Sequence, residues 1–147
     1  MSWRTLLDER RVRPHQTSRQ EIDALRAVVR RDLADARLSG LSVDRCFATA
    51  YNAALQIGKI CIACEGYRVS GTGHHATTLE ALELALGPSI EELVIYLDAC
   101  RRKRNQIDYD MADVISETEA REVTERAEEL FAIAEEWIRL NHPGLKR

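Results

Sequence analysis

The run Arg101-Arg102-Lys103-Arg104-Asn105-Gln106-Ile107-Asp108-Tyr109 puts four cations, two amides and a phenol within nine residues. Guanidinium groups hold phosphate and carboxylate oxygens through charge-assisted hydrogen bonds. A phenol donates to phosphate or acts as an acid, but its usual pKa of about 10 makes it a poor base at neutral pH. Upstream, Ile90, Leu93, Val94, Leu97 and Cys100 recur at steps of three and four, the stripe of a core-facing helix. Arg104 is the next position on that stripe. An arginine there is costly to bury unless it is paired or sits at the mouth of a cleft. Two readings stay open. Either Arg101 to Arg104 complement the negative end of the helix dipole and Asn105 closes the helix, or the cluster is a site. The first accounts for Arg102 and Lys103 better than for Arg104.

Other groups with chemistry are easier to place. His74-His75 lie in a Gly-rich stretch, Tyr67 to His75, that reads as a loop, and precede Ala76-Thr77-Thr78 at a helix start. The bland reading is capping or packing; the functional one is a group that titrates near neutral pH. Cys61 and Cys64 form a C-x-x-C, but a structural zinc site needs a second pair. Cys46, Cys100, His74 and His75 would supply it only by tertiary coincidence. All four cysteines fall at apolar helix positions and read as reduced core thiols. No metal or cofactor is expected. There is no P-loop, no G-x-G-x-x-G and no informative Ser/His/Asp spacing. The acidic residues from Glu117 to Glu129 alternate with an apolar stripe and read as a solvated face.

Composition sets the frame. A chain of 147 residues is one domain by size, 1–147, and is long enough to bury a core without staples. A formal net charge of −3 argues against general nucleic-acid binding. Any polyanion site must be local, at Arg101 to Arg104 or at Arg4 to Arg13. No stretch is apolar enough to span a membrane, and no secretion signal is seen, so a cytoplasmic location is expected.

The elements that must position these groups are helices. Residues 1–16 read as an N-terminal arm or a short helix docked by Trp3 and closed by Pro14. Ser18 to Glu21 has the form of a capping box, followed by the stripe Ile22, Leu25, Val29, Leu33 and Ala36, with Arg26, Arg30, Arg31 and Asp32 on the wet side. Gly40 stops that helix. Ser42 and Asp44 open the second, which ends at Gly66 and is apolar on a wide face, as a central helix would be. Thr77 or Thr78 caps a short helix, broken by Gly87-Pro88, and Ser89 to Glu92 opens the third long helix as a capping box. Ser116 or Thr118 caps the last. No strand is expected. The predicted fold is all-α, an antiparallel bundle of four main helices plus short helical pieces.

In such a chain, Arg104-Asn105 near the end of the third long helix resembles the motif of the HEPN superfamily, the higher eukaryote and prokaryote nucleotide-binding domains. Ala50-Tyr51-Asn52-Ala53-Ala54-Leu55, Gly66-Tyr67-Arg68 and Gly73-His74-His75 are similar to stretches of a prokaryotic branch. The resemblance covers about residues 18–140. It implies a HEPN-like bundle that dimerises with the Arg motifs of both chains facing one cleft. It also implies metal-independent endoribonuclease chemistry, RNA or nucleotide binding through Arg101 and Arg104, and pairing with a nucleotidyltransferase antitoxin. Arg104 and Asn105 match the family's Arg-Asn, but its His position holds Tyr109. Where some toxins of the family carry a Tyr that the antitoxin adenylylates, this chain has Met111. The resemblance thus implies an intact phosphate-binding half and a weakened proton-transfer half, with His74 or His75 as substitutes if their loop reaches the cleft. The alternative function is a non-catalytic helical dimerisation protein that partners a nucleotidyltransferase, with Arg104 and Asn105 fastened through Asp108 or Asp110.

Overall fold

The computed structural model describes residues 1–108 and 114–147, and of Asp108 the backbone alone. With 75% helix and 4% strand the fold is all-α, as expected. Helix α1 spans Trp3–Asp8, α2 Arg19–Ala36, α3 Val43–Cys64, α4 His74–Leu86, α5 Glu91–Asp108 and α6 Glu117–Asn141. Short 3-10 turns at Pro88–Ile90 and Pro143–Leu145 precede α5 and follow α6.

The starts of three long helices are set by serine caps. Ser18, Ser42 and Ser116 accept from the backbone N–H of Glu21, Arg45 and Glu119. At Ser116 the Glu119 carboxylate also returns to the cap N–H, a complete capping box. Helix α3 is the central element. Its face from Phe47 to Cys64 is almost wholly buried, and α2, α4, α5 and α6 pack around it. Cys61 and Cys64 lie inside this core. Burial pushes the Cys64 thiol up to about 12 and the Cys61 thiol well above its usual range, which suits inert core thiols.

Several local expectations are corrected. Val12–Pro14 (β1) and Tyr67–Val69 (β2) pair antiparallel, with Val12 opposite Val69 and Pro14 opposite Tyr67. The ribbon docks the N-terminal segment, and Trp3 stacks on Tyr67 with ring centroids 4.5 Å apart. Helix α4 begins at His74 behind a left-handed Gly73, so the His pair forms its first turn and is not in a loop. Thr77 and Thr78 lie buried inside α4 and do not cap it. Ser89 sits in the 3-10 turn that Gly87 and Pro88 start, not in a capping box.

Two charged residues expected on the wet side of α2 are buried. Arg26 is 1% exposed. Its Nε and Nη2 donate to the two carboxylate oxygens of Glu135 on α6, at 2.7 and 3.2 Å. It also donates to Asp23 (2.8 Å) and to the Leu145 carbonyl (2.6 Å). Asp32 accepts from Asn52 Nδ2 on α3 at 2.7 Å and from Arg31. These bonds fasten α2 to α6 and to α3. Arg30 and Arg31 are exposed as expected.

Candidate functional site

The basic run does not end its helix. Helix α5 continues through Asn105 to Asp108, so Arg101 to Arg104 lie within it and not in its last turn. The dipole acts mainly on the last turn, so it does not account for the run. Carboxylates account for most of it. Arg101 Nε donates to Asp98 Oδ1 at 2.9 Å, and Arg102 Nη2 to Asp98 Oδ2 at 2.6 Å. Lys103 pairs with Glu119 at the start of α6. Arg101, foremost, and Arg102 hold the Asp98 carboxyl below its usual range.

Arg104 is half-buried and lies on the helix face that carries Leu97 and Cys100 into the core. That face turns towards Tyr51 on α3 and His75 on α4. Tyr51 is fully buried. Its hydroxyl is 3.4 Å from His75 Nδ1, a long hydrogen bond whose direction depends on the imidazole tautomer. The two rings are tilted by 55° with centroids 5.8 Å apart. Burial raises the Tyr51 phenol well above its usual range, while Arg101 and Arg104 pull it down. Burial, then the charges of Arg104, Lys59, Arg101 and His74, lower the His75 pKa below 6.5. His75 is therefore a neutral imidazole at neutral pH, beside a phenol and within the field of two guanidinium groups. A neutral imidazole in that field can accept a proton, and the guanidinium charge can stabilise an anion.

The remaining predicted residues fall as follows. Asn105 is exposed on α5, a third of a turn away from Arg104. His74 is exposed and faces another cleft, lined with Lys59 and Thr78. Arg101 belongs to the cluster, though tied to Asp98. Tyr109, Asp110 and Met111 lie outside the described residues, as does the side chain of Asp108. Among the described residues no three His, Cys, Asp or Glu side chains gather as a metal site.

Tyr51 was missed as a site residue. Its sequence signal is a polar-headed aromatic one turn after Phe47, on the widened apolar face of α3. Such a position buries a ring and demands a partner for its hydroxyl. Gly58 prepares the other side of the site. A Cβ there would come within 2.7 Å of Thr78 Cγ2, so the glycine lets α4 approach α3 closely. Thr78 is itself held, its hydroxyl donating to the His74 carbonyl at 2.7 Å. No protein family, curated protein or solved structure matches the chain.

Proposed function

We propose that this chain is a HEPN-type module that holds an RNA or nucleotide phosphate on Arg104, and that His75 replaces the absent motif histidine in a metal-independent endoribonuclease. The supporting observation is the convergence of His75, Tyr51, Arg101 and Arg104 from three helices. In this reading His75 takes the proton of a 2′-hydroxyl. The freed oxygen attacks the adjacent phosphorus, the bond to the 5′-oxygen breaks, that oxygen takes a proton from water and leaves as a hydroxyl, and the His75 imidazolium returns its proton to the resulting hydroxide. The product is a 2′,3′-cyclic phosphate. Arg104 offsets the charge gathering on the phosphoryl oxygens. For Nε2 to be the base, Nδ1 carries the hydrogen and donates to Tyr51, which the raised phenol pKa keeps protonated. Tyr109 is assigned by sequence alone as a donor to phosphate. A homodimer would bring two Arg104 groups to one cleft and create local positive potential on an acidic chain. A nucleotidyltransferase antitoxin is the partner in keeping with this reading.

One observation favours a second reading. Arg101, Arg102 and Lys103 are all engaged within the chain by Asp98 or Glu119, which suits a structural role for the basic run and leaves these charges less available to a phosphate. Thermal unfolding with and without sulfate or a mononucleotide separates the two. The phosphate reading expects the anion to raise Tm and Arg104→Ala to abolish the rise. If Arg104→Ala instead lowers Tm by the same amount with and without anion, Arg104 is structural and the non-catalytic reading stands.

A further inference from the structure

A cleft of about 300 Å³ opens between the start of α2, the middle of α3, β2 and the first turn of α4. It is separate from the His75 cluster, because His74, its neighbour on the other side of the helix turn, lines the cleft in its place. Leu25, Ile62 and Val69 supply apolar wall, while Gln56, Lys59 and Arg68 supply polar groups. We propose that this cleft binds a nucleoside 5′-phosphate unit, with Lys59, Arg68 and His74 on the phosphate and the apolar wall against the base.

The charge balance supports an anion. Lys59 and Arg68 are both exposed at the cleft. The lining also contains one carboxylate, Glu21, and it is already committed. His15 Nε2 lies 2.8 Å from its Oε1, and Thr17 Oγ1 donates to the same oxygen at 2.7 Å. These two bonds, His15 foremost, lower the Glu21 pKa. Glu21 stays ionised and the Arg68 charge acts on it too, so the lining sets two cations, Lys59 and Arg68, against one carboxylate and keeps a positive excess. The wall supports an organic body on that anion: a bare phosphate has no use for Leu25, Ile62 and Val69, whereas a flat ring buries its faces there. The Gln56 amide offers one acceptor and two donors to the edge of such a ring. The volume lies at the small end of ligand pockets, suited to one nucleotide and not to a folded partner. The phosphate unit could belong to a free mononucleotide or to the end of an RNA strand, since both present the same chemistry. The inference is independent of Arg104, whose side chain does not line the cleft.

The test is titration of the full chain with adenosine and uridine 5′-monophosphate, with a 5′-phosphorylated trinucleotide, and with inorganic phosphate. Binding is read by calorimetry and by the His74 imidazole resonances. Lys59→Gln and Arg68→Gln are the variants, and because both residues are exposed, circular dichroism should be unchanged. The expected result is saturable binding of a mononucleotide or the trinucleotide that shifts His74, weakened about tenfold or more by either variant, with inorganic phosphate far weaker. Binding of the trinucleotide alone assigns the unit to an RNA end; binding of both admits the free nucleotide. Equal binding of inorganic phosphate, binding insensitive to both variants, or no binding by any nucleotide overturns the proposal. Arg104→Ala should leave this binding intact even if it abolishes RNA cleavage.

Discussion

At the residue scale the account turns on His75. Two groups of opposite habit, a phenol that resists ionisation and an imidazole that resists protonation, face each other within the field of Arg104. The Arg104 charge is, after burial, the largest influence lowering the His75 pKa. Arg104→Ala should therefore raise that pKa towards 6.5, as read from a histidine titration by NMR. An unchanged value would separate Arg104 from His75. The same shift makes a stability prediction. Because folding depresses the His75 pKa, the unfolded chain takes up the proton first as pH falls. The stabilisation is fully present above about 6.5 and is lost as pH falls through the lower, folded value. His75→Gln should flatten that acid-side decline in urea midpoints; a decline of unaltered steepness would show that His75 is not the group responsible.

At the element scale the site depends on how closely α4 seats against α3. Gly58 and Thr78 define that contact. In Gly58→Ala the new methyl meets Thr78 Cγ2, an overpacking cost of about 1–3 kcal/mol. Helix propensity returns about 1 kcal/mol. The balance should be a lower Tm. Thr78→Ser removes Cγ2 and keeps the hydroxyl that donates to the His74 carbonyl. In that background Gly58→Ala should become neutral or stabilising, and a loss of the same size as in the wild-type background would contradict the close approach. Much of this level was legible in the sequence. The stripes of α2, α3, α5 and α6 and the caps Ser18, Ser42 and Ser116 are local patterns, and local patterns are what periodicity and capping report. The ribbon was not legible, because strands of three residues such as Val12–Pro14 and Tyr67–Val69 show no periodicity and gain their partners only in the fold. His75 was visible as a candidate, but its meeting with Tyr51 and Arg104 joins three helices and leaves no mark on any one of them.

At the scale of the whole molecule, the same limit explains the misplacement of Arg26 and Asp32. A charge on an amphipathic helix is ordinarily solvated, and nothing near Arg26 announces that its partner is Glu135. That pair ties α2 to α6, and the bond to Leu145 adds the C-terminal turn. Arg26→Ala would leave the buried Glu135 carboxylate with Arg147, 3.5 Å away, as its remaining ion partner and should cost about 3 kcal/mol in chemical denaturation, the lower end for a broken buried pair. Replacing both partners, Arg26→Met with Glu135→Leu, should recover most of the loss; a double variant as unstable as the single one would show that the pair is not the source. Among the described residues no helix is long and apolar enough to cross a membrane.

The most direct test of the central claim is cleavage of a mixed RNA pool in the presence of a chelator. Wild type would be compared with Arg104→Ala, His75→Ala and, as a remote control, Arg139→Gln on the exposed face of α6. Cyclic phosphate ends are expected from wild type and the control, and none above background from Arg104→Ala or His75→Ala. Undiminished cleavage by His75→Ala, or no cleavage by the wild-type protein, would contradict that claim.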